Sequence, residues 1–416
     1  MPPADHSTPP TLSPAIGFPL PPLEYDFLAP PRIVFGWGRR REIGTLAASL
    51  GRRAFVVTGS RTLEKNGTLD ELLRLLEAAG VEPLHVASIS HEPEVGDVDR
   101  LTAALVEQHA SAGDFVIGLG GGSAIDLAKA AAAIATNRDS TTVTDYLEGV
   151  GRGLKIVQPP LPLLAVPTTA GTGSEATKNA VISSYNPPFK KSLRSDLMLP
   201  RIVLIDPELT TSAPATVTAH TGMDAITQLI ESYISRRAKP LPRALCVQGI
   251  QLALPALPEA VRNGSCRWAR EAMSQAALLS GMALANSGLG LAHGLAAALG
   301  AECHVSHGLA CAVMLPVALK ANRDVAEKEL AALARAAGLY ATKESSFGNQ
   351  SAAVYAFVQH MESLVTELGI PTRLRDLQVR REQIPALVAG SHGNSLAGNP
   401  REISDDELTL ILETMW

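Results

Sequence analysis

Long uninterrupted apolar runs are missing from this 416-residue chain. Charge, glycine or proline breaks each one well short of the roughly 20 residues needed to span a bilayer. The N-terminal stretch MPPADHSTPPTLSPAIGFPLPPLEY has no basic start and no apolar core, so it reads as neither a signal peptide nor a membrane anchor. A basic excess is missing too. Lys and Arg number 36 against 41 Asp and Glu, a net charge of −5, and no Lys/Arg run is interleaved with aromatics, which argues against nucleic acid as a partner. Cysteine is scarce: Cys246, Cys266, Cys303 and Cys311 form no C-x-x-C pair and no disulfide framework, as expected of a reducing compartment, hence the cytoplasm. Cys303, close to two histidines, is open as a metal ligand, although a small buried hydrophobe is the commoner role.

The length exceeds what one core usually supports, so two domains are expected. Residues 1–24 are predicted to be a disordered, proline-rich tail, because proline at that density removes backbone donors and favours extended chain. Residues 25–206 alternate short β-rich runs (54–58, 84–87, 114–118, 163–167, 202–205) with helical stretches (68–79, 98–109, 123–136). That alternation predicts βαβ units, hence an α/β domain with a mostly parallel sheet covered on both faces. From 207 to 416 the β signals fade and helical periodicity takes over, over 216–235, 242–255, 268–284, 290–299, 308–322 and 325–336. Surface loops are expected at Ser345–Ser351 and at Ser391–Arg401, the latter before a last helix.

Two loops after predicted strands are rich in donors. Leu119-Gly-Gly-Gly-Ser-Ala-Ile-Asp126 opens a helix, where glycines allow close approach and free amides point at an anion. Alone, such a turn reverses the chain as often as it holds a phosphate. Pro167-Thr-Thr-Ala-Gly-Thr-Gly-Ser-Glu175 adds hydroxyls at the same end of the sheet, and two such loops suit a dinucleotide. Further on, His293 and His307 bracket a short polar loop between apolar segments, with Asp224 upstream. One histidine of this kind is more often a satisfied core residue; two, with a carboxylate, point to a divalent metal.

GGGSxxDxAK at 120–129, PTTAGTGSE at 167–175, IDPELT at 205–210, GMDA at 222–225 and GLxHGxxxxLG with SHG at 290–308 together resemble the iron-containing (group III) alcohol dehydrogenases, from about Phe27 onward. The resemblance implies an N-terminal Rossmann-like domain, an all-helical C-terminal domain in the dehydroquinate synthase-like arrangement, NAD or NADP, and a divalent metal (Fe2+ or Zn2+) that activates an alcohol for hydride transfer. It also implies a soluble homodimer or larger homo-oligomer acting on a small alcohol or aldehyde. Carried over by position, it assigns Gly120, Gly121, Gly122, Ser123 and Asp126 to the pyrophosphate loop, Thr168, Thr169, Thr172 and Lys190 to the cofactor, and Asp224, His293 and His307 to both metal binding and catalysis.

The chain departs from that pattern at two places. Gln228 stands where members carry a fourth ligand histidine, and its neutral amide is a weak donor that can hold a water or substrate hydroxyl instead. Asp, His and His alone remain enough for a catalytic zinc, as in the glycerol dehydrogenase branch. Ala297 stands where many members have another histidine near the nicotinamide. His220 and His304 lie near ligand positions and are expected to be solvated. After the first long strand, Gly59-Ser60-Arg61 replaces the aspartate of NAD-specific members, so Gly59 and Ser60 are placed at the adenosine ribose and NADP is the expected preference. The alternatives are a dehydroquinate synthase-like carbon–oxygen lyase, for which no convincing Lys/Arg cluster is visible, and a cofactor-binding protein that has lost catalysis.

Overall fold

The computed structural model describes residues 24–59, 61–340 and 350–416. The expected tail lies outside them except for Glu24, as do Ser60 and most of the expected loop Ser345–Ser351.

Six strands form an all-parallel sheet: β1 (Ile33–Phe35), β2 (Arg53–Thr58), β3 (Glu82–Ser88), β4 (Asp114–Gly120), β5 (Leu163–Pro167) and β8 (Ile202–Ile205), in the order β1-β8-β5-β4-β2-β3, while β6 (Asn179–Tyr185) and β7 (Pro188–Arg194) form a separate antiparallel hairpin. The helices of this half are α1 (Ile43–Ala48), α2 (Thr62–Lys65), α3 (Thr68–Ala78), α4 (Val95–Glu107) and α5 (Gly122–Ile134). Alternate residues of each central strand face opposite cores. Phe55, Val57 and Val116 pack with α4 and α5, whereas Ala54, Val56, Phe115 and Ile117 pack with α1 and α3. With both faces covered, the strands read as continuous apolar runs. Helix α4 starts a turn earlier than its apolar period, because Glu94 and Asp97 cap its first turn reciprocally.

The order reverses at β2, whose neighbours are β3 on one side and β4 on the other. Loops leaving a parallel sheet at such a point diverge and open a crevice. Here the loop ends are tied together: Gly59 N–H donates to Leu119 O at 2.9 Å, and Thr168 N–H to Gly120 O at 2.9 Å. A Cβ on Gly120 would stand 2.8 Å from Gly59 N, so the turn has no room for a side chain.

The rest of the chain is helical: α6 (Ala215–Ile234), α7 (Pro240–Arg262), α8 (Arg267–Ser287), α9 (Leu291–Cys303), α10 (His307–Asn322), α11 (Glu327–Ala336), α12 (Gln350–Glu367), α13 (Ile384–Ser391) and α14 (Asp405–Met415). Helix α6 is central, packed on α7, α8 and α10, and every residue from Gly222 to Ile234 is buried. Helix α7 continues past Pro255, where its sequence pattern stops, to Arg262. It is long and apolar enough by composition to cross a membrane, in contrast to the short runs expected, yet Cys246, Ile250, Ala253 and Leu257 are buried in the helical core. The stretch 391–401 contributes to that core as well as to the surface: Asn399 is fully buried and bonds Asn322 in both directions.

At one point the two halves touch backbone to backbone. A Cβ on Gly173, in the loop after β5, would lie 2.4 Å from Gly281 Cα on α8, and one on Gly281 would lie 2.3 Å from Gly173 O. Gly173 also has φ +61, a conformation that costs glycine nothing.

Candidate active site

Helix α5 begins at the reversal point with no side-chain cap, Gly121 at its N-cap being extended, so its first amides are turned to the crevice. The loop after β5 closes over it. A Cβ on Gly122 would meet Thr172 Oγ1 at 2.6 Å, and one on Gly121 would meet Thr169 Oγ1 at 3.2 Å. Asp126 lines the same space as Gly122 and Ser123 and is held in place there. It accepts from Ser174 Oγ and from Val181 N–H (2.9 Å), tying α5 to both the loop and the hairpin. Below it the buried Lys129 ammonium is surrounded by Ser174 O (2.7 Å), Thr177 Oγ1 (3.1 Å) and Asn179 O (2.7 Å); burial pushes its pKa down against the pull of Asp126.

Three spaces lie along the ends of these loops, the second and third of them contiguous. At the ends of β2, β4 and β5, Gly59, Gly120, Thr168, Thr169 and Val217 line a cavity of about 110 Å³. A second, of about 140 Å³, runs from Gly122, Ser123 and Thr172 to Gln228, His293 and His307. The third, of about 320 Å³, shares Lys190, His293 and His307 with the second and continues past Ala297 to the 391–395 segment. Arg61 is exposed at the start of α2, beyond the first cavity.

The second and third spaces meet at a buried polar cluster. Asp224, on α6, is one turn before Gln228 and two turns before Glu231, so all three project from the same face. His293 stands in the first turn of α9, and His307 is the first residue of α10. Each helix start is capped by a carboxylate from elsewhere. Glu231 accepts from the amides of Gly290 (3.0 Å) and Ala292 (2.6 Å), and Glu92, after β3, accepts from that of His307 (3.1 Å). Gly290 permits this approach, since a Cβ there would be 2.9 Å from Glu231 Oε1.

Glu231 Oε2 also lies 2.7 Å from His293 Nδ1. This partner fixes the tautomer: Nδ1 carries the proton and the Nε2 lone pair points at Asp224 Oδ1, 3.3 Å away. A lone pair facing a buried carboxylate needs a positive charge, supplied by a proton or by a metal ion. Burial opposes the proton, but Cys311, Asp224 and Glu231 outweigh it and hold the His293 pKa well above its ordinary value. His307 Nε2 is 3.8 Å from the same carboxylate oxygen. Burial and the nearby Lys190 push His307 down to about 4, so this imidazole is neutral and ready to ligate. Burial works against charge on Asp224, yet His307 and His293 keep it below the usual carboxylate range. A carboxylate and two imidazole nitrogens thus converge at ligand spacing, and the donor set fits a divalent transition metal.

Cys311, one turn after His307, completes this group. Its Sγ is 3.7 Å from His307 Nε2, and the four ligand atoms of Asp224, His293, His307 and Cys311 all lie within 4.8 Å of one another. Burial pushes the Cys311 thiol up to about 12. Cys303, the cysteine singled out by proximity in sequence, ends α9 outside this group. Gln228 lines the second space, with Oε1 accepting from Ser280 Oγ at 2.7 Å. His304 is an exposed left-handed C-cap whose ring lies tilted against Tyr185, and His220 is partly buried; neither joins the cluster.

Lys190 reaches the cluster from β7 and pairs with Glu92 at 2.5 Å. With Lys191 and Arg194, its neighbours in the run KKSLR, it puts three cations on the wall of the third space; Lys190 and Arg194 are committed to Glu92 and Glu148. Glu231, Glu92 and Cys311 escaped the sequence reading. The spacing of Cys311 four residues after His307 was the one local signal for it, whereas Glu231 and Glu92 act across 62 and 215 residues.

Comparison with known proteins agrees with this architecture. The family described as iron-containing alcohol dehydrogenase matches residues 30–207, and that of the Fe-containing alcohol dehydrogenase C-terminal domain matches 218–416. The long-chain-alcohol dehydrogenase 1 of Geobacillus thermodenitrificans is 33% identical over 93% of this chain and 95% of its own length. The NAD-dependent methanol dehydrogenase of Bacillus methanolicus is 30% identical over 93% and 99%. A crystal structure of 1,3-propanediol oxidoreductase superposes with a TM-score of 0.85 at 31% identity, covering 94% of this chain and all of that one.

Proposed function

The chain belongs to the iron-containing alcohol dehydrogenase family, and on that footing we propose that it interconverts an alcohol and its aldehyde by hydride exchange with a nicotinamide dinucleotide, using a divalent metal held by Asp224, His293 and His307. The observation that carries this assignment is His293 Nε2, aimed at Asp224 Oδ1 at 3.3 Å while Glu231 holds the opposite ring nitrogen, a place that a metal ion can fill instead of a proton. When bound, the metal acts as a Lewis acid toward the substrate oxygen.

The chain's own residues supply the rest. The uncapped start of α5 offers amides to the pyrophosphate, with Gly120, Gly121, Gly122 and Ser123 in the turn and Thr168, Thr169 and Thr172 opposite. Asp126 acts one step back, by fixing Ser174 and Val181. Lys190 places its ammonium between the cofactor space and the substrate space, where Glu92 restrains it. Ala297, on the wall of the third space, carries no exchangeable proton, so the side chain at this position cannot relay the alcohol proton. A lyase of the dehydroquinate synthase type needs free cations for its substrate, and two of the three on the third space are already paired.

Steady oxidation of NADH or NADPH by a panel of aldehydes tests the assignment. His293→Ala and His307→Ala should each remove bound metal and activity together. Full activity in a chelated, metal-free sample would show the metal to be dispensable. For the cofactor, no carboxylate stands at Gly59 to repel a 2′-phosphate, and Arg61 is exposed two residues on. NADPH is the expected preference, and Arg61→Ala should weaken NADPH much more than NADH. A strong NADH preference untouched by that substitution would refute it. The four thiols are free and two are buried, in keeping with a reducing, cytoplasmic location. Assembly as a homodimer or larger homo-oligomer is checked by light scattering.

A further inference from the structure

We propose that the fourth protein ligand of the metal is the thiolate of Cys311, not the side chain at position 228, and that the centre is therefore built for zinc. This rests on the metal assignment above and adds to it the identity of one donor. The geometry carries it. Around an ion bonded at about 2.0 Å to nitrogen or oxygen and about 2.3 Å to sulfur, tetrahedral ligand atoms stand roughly 3.3 to 3.6 Å apart. His293 Nε2 is 3.3 Å from Asp224 Oδ1, His307 Nε2 is 3.8 Å from the same oxygen, and Cys311 Sγ is 3.7 Å from His307 Nε2. Small rotamer adjustments close the remaining gaps, since no pair exceeds 4.8 Å.

The helix geometry explains why the donor can move. Position 228 approaches from α6, one turn beyond Asp224, and there the amide oxygen is engaged by Ser280 Oγ on α8 at 2.7 Å. Cys311 approaches from the other wall, one turn beyond His307 on α10, and it is completely buried. The thiol would serve as fourth donor in place of the missing imidazole, and a substrate oxygen would have to approach as a fifth donor from the Gln228 side, where the cavity that Gly122, Ser123 and Thr172 line reaches the cluster, an expansion that catalytic zinc allows. On binding, the thiol proton passes to solvent and the sulfur becomes a soft, charged donor, which selects zinc over ferrous iron at a site otherwise made of imidazole and carboxylate.

The test replaces the metal with Co2+, whose bonds to thiolate give an intense near-ultraviolet charge-transfer band. The wild-type cobalt protein should show that band, Cys303→Ser should keep it, and Cys311→Ser should lose it. Cys311→Ser and Cys311→Ala should also bind Zn2+ at least ~100-fold more weakly, a larger loss than an outer-shell change produces. Equal melting temperatures of chelated wild type and chelated Cys311→Ser would show that the fold is intact. Cobalt bound without the band in wild type, or a band that survives Cys311→Ser, overturns the assignment of the sulfur while leaving the metal in place. A wild-type protein that binds neither Co2+ nor Zn2+ overturns the metal itself and the sulfur with it.

Discussion

Glu231 accepts from amides at the start of α9 and holds the ring of His293, so its loss should be felt in two separate measurements. Glu231→Ala is expected to weaken metal binding ~10–100-fold, as outer-shell changes do, and to lower the melting temperature of the metal-free protein because the amides of Gly290 and Ala292 lose their acceptor. Unchanged metal affinity would mean that His293 keeps its tautomer unaided. Glu175 offers a second test away from the metal. Burial raises this carboxyl to about 7, against the pull of Lys129. A raised folded-state pKa means that the native protein holds the proton more tightly than the unfolded chain does. The resulting stability is fully present below about pH 4.5 and is lost as pH rises through about 7. The gap between wild type and Glu175→Gln should therefore shift by about 3 kcal/mol between pH 4.5 and 8, in favour of the Gln variant at high pH; parallel stability curves would contradict the raised pKa.

Among the elements, the turn between β4 and α5 is the most tightly specified. Gly122→Ala would drive a methyl into Thr172, so dinucleotide affinity should fall at least ~10-fold while metal content stays unchanged, as read by nucleotide fluorescence and metal analysis; unaltered affinity would show that the loop gives way. This turn was legible because a β-rich run, three glycines and an alanine-rich helix are all local patterns. The central strands were legible for the same reason. The three residues of β1 carry no such pattern and exist only because β8 offers a partner about 170 residues later in the chain. The hairpin was missed because NAVISSY and PFKKSLR mix polar and apolar positions, and it is held by α5 and α9. At the site, motifs drew attention to Asp224, His293 and His307, which meet in one cluster. The acids that cap their helices carry no local mark, since Glu92 and Glu231 acquire their meaning only when distant segments fold against them.

Across the whole molecule, the loops assigned above to the dinucleotide belong to the sheet and the residues assigned to the metal belong to the helices, so the proposed reaction depends on how the two halves are held. Gly281→Ala would force a methyl against the Gly173 carbonyl and should cost about 1–3 kcal/mol of stability; it should also raise KM for the dinucleotide more than it raises KM for the aldehyde. Equal effects on both would show the contact to be remote from the cofactor loop. Because that contact is backbone against backbone, it has little slack for sliding. If the halves close on a bound dinucleotide, this contact would be the fulcrum, with the turn at residues 120–123 on one arm and His293 and His307 on the other. Closure about such a point moves distant atoms most and adjacent ones least. Spin-label distances measured on adding NADPH should accordingly change little beside Gly173 and most at the 391–395 rim, and a uniform shift along the cleft would rule out the lever.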